Sequence, residues 1–268
     1  MIDQGKHSVL GIQVNAIDYE AAVAQIIEAA RQDRPLTVSA LAVHGVMTGV
    51  LDPEQSYRLN HLDLVVPDGQ PVRWALNWLY RTQLSDRVYG PNLMLQVCDR
   101  AAQASIPVYF YGSRSDVLDA LMQNLRTRFP GLAIAGSQPS RFRRISAAEM
   151  ADIAATIQTS GAKIVFVGLG CPRQEVWAYE YRDRLSMPIL AIGAAFDFHA
   201  GLLPQAPSWM QKRGLEWLFR LIQEPSRLWQ RYLLLNPLYL GLLLLQFLGL
   251  YRLVQPDETH PQQEIRYG

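Results

Sequence analysis

Between residues 10 and 200, short apolar runs alternate with longer stretches of helical periodicity, and this alternation constrains the fold more than any other feature. Such an order predicts a mostly parallel sheet with helices on both faces. Val117–Phe129 carries apolar residues every four positions, as an amphipathic helix does. We therefore predict a Rossmann-like α/β domain over residues 1–204, with ligands bound beyond the carboxyl ends of the strands. The predicted strands are Leu10–Val14, Leu36–Leu41, Leu64–Val66, Pro107–Tyr111, Leu132–Ala135, Ile164–Val167 and Ile189–Ile192.

The composition excludes several classes of protein. A chain of 268 residues with 49% hydrophobic residues buries too much apolar surface to be disordered. Its net charge of +1 provides no field for nucleic acid, so we expect no nucleic-acid partner. The two cysteines, Cys98 and Cys171, resemble neither a disulfide framework nor a paired metal-ligand spacing, which favours a reducing compartment. The first residues lack the pattern of a secretory signal, and we expect the bulk of the chain in the cytosol.

The histidines and acidic residues do not follow any known metal-ligand spacing. The five histidines lack a metal-binding motif, and the sequence has no D-x-D pair. We therefore expect no metal and no cofactor. Nucleotide phosphates would then be neutralised by arginines and by helix starts.

The pattern changes near residue 205. We expect a basic and aromatic helical appendage over residues 205–232, an apolar membrane-associated segment over 233–254 and a disordered tail over 255–268. Leu233–Leu250 contains eleven leucines and no charge, but Asn236-Pro237 interrupts it. The apolar stretch after Pro237 is short for a full span and favours an interfacial or re-entrant segment. A transmembrane helix and a buried core or oligomer helix remain alternatives, and a homo-oligomer is compatible with the sequence.

Asp68 lies in a turn that follows a short apolar strand, in the sequence Asp63–Gly69 (DLVVPDG). A carboxylate at a strand end can act as a general base on a substrate hydroxyl. The alternative is a turn-forming Asp-Gly pair without a catalytic role.

Two further strand ends carry polar groups. Val165–Glu175 (VFVGLGCPRQE) combines a strand, a glycine turn with Gly170, and a helix start with Arg173 and Gln174. The third glycine of a dinucleotide fingerprint would fall at Arg173, so that fingerprint fails, and backbone N–H groups here suit a phosphate or sugar oxygen. A plain strand-to-helix connection is the alternative. The next strand ends in FDFHAG, which carries Asp197.

Taken together, these motifs resemble a known family. The chain contains, in order, PDG at 67–69, Arg87–Asn92 (Arg-x-x-Gly-x-Asn), GLGCPRQE at 168–175, FDFHAG at 196–201 and GLEWLFRLIQEPSR at 214–227. This set resembles the WecG/TagA/CpsF family of bacterial glycosyltransferases, over about residues 10–232.

The resemblance implies an inverting, metal-independent sugar transfer at the cytoplasmic face of the bacterial inner membrane, by a peripheral or monotopic protein. The donor would be a UDP-sugar, commonly of the N-acetylmannosamine type, and the acceptor a sugar on a polyprenyl diphosphate at the inner leaflet, in cell-surface polysaccharide synthesis. Asp68 stands at the position of the family's base, while Gln174 and Arg87 match substrate-binding positions. The remaining matches, to arginines that engage diphosphate from the appendage, are Arg220, Arg227 and Arg231.

The sequence departs from the family pattern at three places. Ala40–Ala42 replaces the family's T-x-N, and His44 is the nearest polar substitute, although a helix-start histidine without a substrate role is the alternative. Asn92 stands where the family has Asp, and Gln205 replaces an arginine. A nucleotide-binding oxidoreductase and a non-enzymatic membrane scaffold for polysaccharide assembly remain alternative functions.

Overall fold

A computed structural model describes residues 1–251 and 259–268, with the side chains of Arg227 and Arg231 excepted. Six parallel strands form the central sheet in the order β4-β3-β8-β7-β5-β6. A separate antiparallel pair, β1-β2, precedes it. The strands are β1 Asp3–Val9, β2 Ile12–Ile17, β3 Leu36–Leu41, β4 Leu64–Pro67, β5 Val108–Gly112, β6 Ile134–Gln138, β7 Ile164–Gly168 and β8 Pro188–Ala191.

Helices cover both faces of this sheet, which confirms the predicted α/β class. The helices are α1 Tyr19–Arg31, α2 Val43–Leu51, α3 Pro53–Asn60, α4 Gln70–Tyr80, α5 Gly90–Gln103, α6 Ser115–Arg128, α7 Ala147–Thr159, α8 Arg173–Tyr181, α9 Ala194–His199, α10 Ser208–Lys212, α11 Glu216–Gln223 and α12 Pro225–Phe247.

Two buried clusters explain why the helices divide between the faces. Along β5, Val108 and Phe110 pack with α1, α5, α6 and α9, whereas Tyr109 and Tyr111 pack with α2, α4, α7 and α8 on the other side. Alternate side chains of a strand point to opposite faces, so a continuous apolar run fills both clusters.

The predicted strand Leu10–Val14 is wrong at its start. Leu10 and Gly11 have φ values of 54° and 92° and form the turn between β1 and β2. Two consecutive positive φ values are typical of the tight hairpin turns that match the twist of the strands. The sequence reading missed β1 because its exposed residues are mainly polar.

Pro237 does not end the C-terminal helix, which differs from the predicted interruption at Asn236-Pro237. Helix α12 runs for 23 residues, about 34 Å, and crosses the predicted boundary at residue 232. Its inner side is fixed to the domain: Tyr239 is fully buried and donates a hydrogen bond to the carbonyl of Pro71, and Gln246 bonds the backbone of Ser8 and Leu10. These contacts offset the stability that the helix loses because proline cannot donate a backbone hydrogen bond. Within residues 1–251 and 259–268, no helix has the length and apolarity needed to cross a bilayer.

The predicted disorder of the tail is wrong for residues 259–268. Tyr267 pairs with Arg144 in an antiparallel bridge, and the carboxylate of Glu180 accepts the N–H groups of Ile265 and Arg266 at 2.6 and 3.0 Å. Satisfied backbone groups of this kind order a polar segment that has little apolar surface of its own. The part of the prediction that concerns residues 255–258, and the end of the predicted apolar segment at 252–254, lie outside the described residues.

Close backbone approach at the carboxyl edge of the sheet gives a test of the fold. A Cβ atom at Gly112, where φ is +105°, would lie 2.7 Å from the carbonyl oxygen of Gly168. We expect Gly112→Ala to lower the free energy of unfolding more than Gly161→Ala, which has φ +79° but open space around it. The conformational cost at either site is about 1–2 kcal/mol, and the clash at Gly112 adds roughly another 1–3 kcal/mol. Urea unfolding of the two variants measures both losses of free energy. Equal losses would show that the ends of β5 and β7 can separate at Gly112 without cost.

Candidate active site

A cleft of about 660 Å³ opens at the carboxyl edge of the sheet. Loops after β3, β4, β5, β7 and β8 contribute to its lining, and α11 approaches it from the appendage. Strand β8 lies between β3 and β7, and the connections that follow these neighbouring strands lead to opposite faces of the sheet. In open α/β sheets, ligands bind at such a point. The lining includes the sequence-predicted Asp68, Gly170, Arg173, Gln174, Asp197 and Arg220.

Asp68 follows β4 and presents its carboxyl group to the cleft. One carboxylate oxygen accepts the N–H of Gly90 at 2.7 Å, and the backbone N–H of Asp68 donates to the carbonyl of Leu41. Burial raises the pKa of Asp68 to about 6; the Arg87 guanidinium opposes this rise, and the Glu216 carboxylate adds to it. A carboxylate with this pKa is ionised at neutral pH and is a stronger base than an exposed one.

Gln174 connects two loops of the cleft. Its side-chain oxygen accepts the N–H groups of Gly170 at 3.1 Å and Gly193 at 2.8 Å, and its amide nitrogen donates to Glu175 at 2.9 Å. Ser39 donates to the same oxygen of Glu175, whose pKa is raised by burial. Both polar atoms of the Gln174 side chain already have protein partners, and its hydrogen bonds hold the two loops in position at the cleft.

Cationic and acidic side chains line the rest of the cleft. The Arg220 guanidinium lies 5.7 Å from the ring centre of Phe198, and Arg173 lies at the same distance from the ring of Tyr267. Asp197 lies on α9; the pKa of Arg114 is raised mainly by its ion pair with Asp116 and to a smaller extent by the charge of Asp197. The cleft offers three arginines (Arg114, Arg173 and Arg220) and the start of α8 to an anionic group, and Asp68 lines the same cleft.

Arg87 lies behind Asp68 and does not line the cleft. Its guanidinium donates to Glu216 of α11 at 2.5 Å and to Gln211 of α10 at 3.4 Å, and it lies 4.2 Å from the ring centre of Tyr89. Both members of the ion pair are nearly buried. Arg87 therefore connects the α/β domain to the appendage, and its predicted contact with substrate stays a prediction.

Two predicted substrate-binding residues lie outside this cleft. Asn92 is exposed in the first turn of α5, near the Tyr19 hydroxyl. His44 is the second residue of α2 and lines a separate pocket, while its neighbour Gly45 lines the cleft. Both positions came from the family resemblance, Asn92 as the replacement of an aspartate and His44 as the nearest polar substitute for a missing asparagine. Arg227 and Arg231 belong to α12, but their side chains lie outside the described residues.

The sequence reading missed Ser113, Arg114 and Glu216, all of which line the cleft. Ser113 and Arg114 directly follow β5, so the rule that led to Asp68 also applies to them. Glu216 lies within the quoted GLEW motif, where only the arginines were assigned. Among residues 1–251 and 259–268, no group of three or more His, Cys, Asp or Glu side chains is placed to hold a metal ion.

Comparison with known proteins identifies the family. Residues 7–253 match the model of the glycosyl transferase WecG/TagA/CpsF family. The chain belongs to the WecG/TagA/CpsF family. It is therefore a glycosyltransferase, which favours this function over the oxidoreductase and scaffold alternatives.

Curated relatives with the same printed name occur in two Bacillus species. The chain is 31% identical over 183 residues to the "N-acetylglucosaminyldiphosphoundecaprenol N-acetyl-beta-D-mannosaminyltransferase" of Bacillus spizizenii, a match that covers 68% of each chain. The Bacillus subtilis protein of that name is 28% identical over 176 residues, 65% of this chain and 66% of its own. Each match spans about two thirds of the relative.

The ion pair between Arg87 and Glu216 predicts coupling between the appendage and the site of this glycosyltransferase. We expect Arg87→Met and Glu216→Gln each to lower kcat/KM at least tenfold, because either change leaves a nearly buried charge without its partner. The double variant should be no worse than the poorer single variant, since the two changes remove one interaction. Steady-state kinetics of the four proteins measure this. Strictly multiplicative losses would show that the two residues act separately.

Proposed function

We propose that this glycosyltransferase moves an N-acetylhexosamine-type sugar, with N-acetylmannosamine as the first candidate, from a UDP-sugar to a sugar carried on polyprenyl diphosphate. The printed names of the two Bacillus relatives support the acceptor class and the candidate sugar. The observation that carries the proposal is the Asp68 carboxyl group, which faces a cleft that also holds Arg220 from the appendage. A base and a cation in one cleft are what displacement of a nucleoside diphosphate requires.

The proposed reaction is a single displacement with inversion at the anomeric carbon. The acceptor hydroxyl oxygen forms a bond to that carbon, and its proton passes to Asp68. The bond from the anomeric carbon to the diphosphate oxygen breaks, and the electron pair leaves with UDP. The raised pKa of Asp68 suits it to accept the proton, since proton transfer is most efficient when the pKa of the base lies near the working pH.

Arginines are proposed to take the place of a divalent metal at the leaving group. Arg220 lines the cleft directly. Arg227 and Arg231 follow it along the appendage, at the beginning of α12. Charge-assisted bonds from guanidinium groups to phosphate oxygens are short and strong, and bidentate pairs also fix the orientation of the phosphate.

We further propose that the outer face of α12 rests on the cytoplasmic face of the bacterial inner membrane, as a peripheral or monotopic attachment. Large apolar side chains on this face are more than half exposed although the helix is docked: Leu233, Leu240, Leu244 and Phe247. A contiguous exposed apolar surface of this kind is typical of protein or membrane contact sites. A polyprenyl acceptor remains in the bilayer, so the contact would bring the cleft close to its substrate.

The role of Asp68 gives the main test of the proposed function. We expect Asp68→Asn to lower kcat by about 10²–10⁴, because the amide keeps an oxygen for the Gly90 N–H but cannot accept the proton. Transfer from UDP-N-acetylmannosamine to an N-acetylglucosaminyl-diphosphate lipid is measured with and without EDTA. Asp99→Asn, which changes a half-buried acid on α5 outside the cleft, serves as the matched control. Turnover near that of the wild type in Asp68→Asn would remove Asp68 from the role of base.

The pKa of Asp68 predicts the pH dependence of activity and of stability. Because the base must be ionised, kcat/KM should fall as the pH drops through about 6, and the residual activity of Asp68→Asn should lack this step.

The raised pKa has the opposite effect on the fold: stability from this group is fully present below the unfolded-state pKa and is lost as the pH rises through about 6. We therefore expect Asp68→Asn to unfold at the same or a higher urea concentration than wild type at pH 8. A lower urea midpoint for Asp68→Asn than for wild type would show that the Asp68 carboxylate stabilises the fold.

A further inference from the structure

A cavity of about 170 Å³, which we call the end pocket, continues the catalytic cleft. Gly168 and Arg173 line both cavities, and so does Phe142. The 259–268 segment contributes Tyr267 to the wall of the end pocket. Pockets that hold a whole small ligand have volumes of about 300–1,000 Å³. The end pocket therefore suits one end of a ligand whose remainder lies in the cleft.

The strand order fixes the distance from the end pocket to the proposed base. Strand β7 ends at Gly168 and lies three positions along the sheet from β4, which ends just before Asp68. Neighbouring strands are about 4.8 Å apart, so the two strand ends are separated by about 14 Å. In a UDP-sugar, a diphosphate and a ribose lie between the reacting carbon and the uracil ring, and together they span a distance of this order. The nucleoside of a donor that reacts beside Asp68 can therefore reach the end pocket.

Two arginines lie along the path between these points. Arg220 lies beside Phe198 of α9, the helix that follows β8, and Arg173 begins α8 after β7. Both arginines line the cleft. Guanidinium groups bind phosphate oxygens through short, charge-assisted hydrogen bonds. A donor whose diphosphate binds these arginines directs its nucleoside towards the end pocket.

Phe142 gives the end pocket an exposed aromatic surface. This residue is 61% exposed, although it lines both cavities. Its φ of 53° lies in the left-handed region, which is costly for a residue other than glycine. Its backbone N–H donates to the Ser140 hydroxyl at 3.0 Å and to the backbone oxygen of Gly268 at 3.2 Å, and these bonds hold the conformation. Strained conformations that the surrounding structure maintains are frequent at ligand sites.

Tyr267 supplies a second aromatic ring at the same place. The Arg173 guanidinium lies 5.7 Å from the centre of this ring, and the Tyr267 backbone pairs with Arg144. The family match ends at residue 253, so Tyr267 and the contact of Gly268 with Phe142 belong to the part of the chain beyond the match. Aromatic rings and guanidinium planes are the surfaces on which nucleic-acid bases stack in proteins.

The charge of the end pocket favours the same kind of ligand. Among the described residues that line it, three are arginines and none is an aspartate or a glutamate. Glu149 pairs with Arg143, whereas neither Arg144 nor Arg173 forms an ion pair within residues 1–251 and 259–268. Uracil presents two carbonyl oxygens, which accept hydrogen bonds from guanidinium N–H groups. The end pocket therefore favours a ring with acceptor oxygens over a cationic ligand.

We infer that the end pocket binds the uridine of the donor, and that Phe142 provides the surface on which the uracil ring stacks. Tyr267 is a positioning residue: it holds the Arg173 guanidinium, which lies between the uridine and the catalytic end of the cleft. This assignment rests on the proposed function, which supplies the UDP-sugar. It gives the 259–268 segment a part in donor binding.

Direct binding tests the inference without relying on sugar transfer. The full chain in detergent solution is titrated calorimetrically with UDP and with inorganic diphosphate. We expect UDP to bind at least tenfold more tightly, because only UDP fills the end pocket. Phe142→Ala should weaken UDP binding by about fivefold or more, since it removes the stacking surface, and should leave diphosphate binding unchanged. Phe142→Tyr, which keeps the ring, should restore UDP binding.

A matched control and a second pair of variants separate local from general effects. Trp78→Ala removes another aromatic side chain that is 61% exposed, on α4, and should leave UDP binding unchanged. Tyr267→Leu should weaken both UDP and diphosphate by about threefold, because the Arg173 guanidinium loses its contact with the ring. Tyr267→Phe should restore both. In the transfer assay, Phe142→Ala should raise the donor KM and leave the acceptor KM and kcat unchanged.

The outcomes distinguish this inference from the proposed function. Equal binding of UDP and inorganic diphosphate would overturn the uridine site, as would UDP binding that is insensitive to Phe142→Ala, even where sugar transfer is normal. Unchanged diphosphate binding in Tyr267→Leu would overturn the positioning role of Tyr267. UDP binding that depends on Phe142, in a protein that transfers no sugar, would instead contradict the proposed function alone.

Discussion

The arrangement of Asp68, Arg87 and Glu216 is the constraint on which the candidate site depends. Arg87 lies between two carboxylates, one at the end of β4 and one on α11 of the appendage. Burial is the main cause of the raised pKa of Asp68; the Arg87 charge lowers this pKa and the Glu216 charge raises it, so the appendage contributes to the basicity of the proposed base. Arg220 comes from the same short helix and lowers that pKa as well. The appendage thus lines the site and also contributes charges that affect the pKa of Asp68.

The sheet supplies the rigid half of this arrangement. Insertion of β8 between β3 and β7 brings several loop ends to one edge, and Gln174 then ties the loop after β7 to the loop after β8. The Gln174 amide rests on the buried Glu175, which also accepts from Ser39 of β3. A chain of bonds across three strands restricts the movement of the cleft floor, as preorganisation of a site requires.

The sequence could predict the strand ends, because strand, turn and helix-start signals are local. Asp68 and Gly170 were found in this way, and both line the cleft. Local patterns could not predict which residues pair over long distances in the sequence. Arg87 and Glu216 are 129 positions apart, and only the folded chain shows that they pair. His44 was chosen as the nearest polar substitute for the family's missing asparagine, and only the folded chain shows that it lines a separate pocket. The helix through Pro237 was missed for a similar reason, since distant contacts of α12 compensate for the proline.

Helix α12 joins the two surfaces that the proposed reaction needs. Its inner side is fixed to the domain by Tyr239, Leu243 and Gln246, and its first residues follow α11 directly, with Glu224 between them. Under the proposed membrane contact, the outer face and the segment that carries Glu216 and Arg220 therefore belong to consecutive helices. Glu216 raises the pKa of Asp68 and Arg220 lowers it, so the short helix that leads into the membrane-contacting helix also carries charges that act on the proposed base.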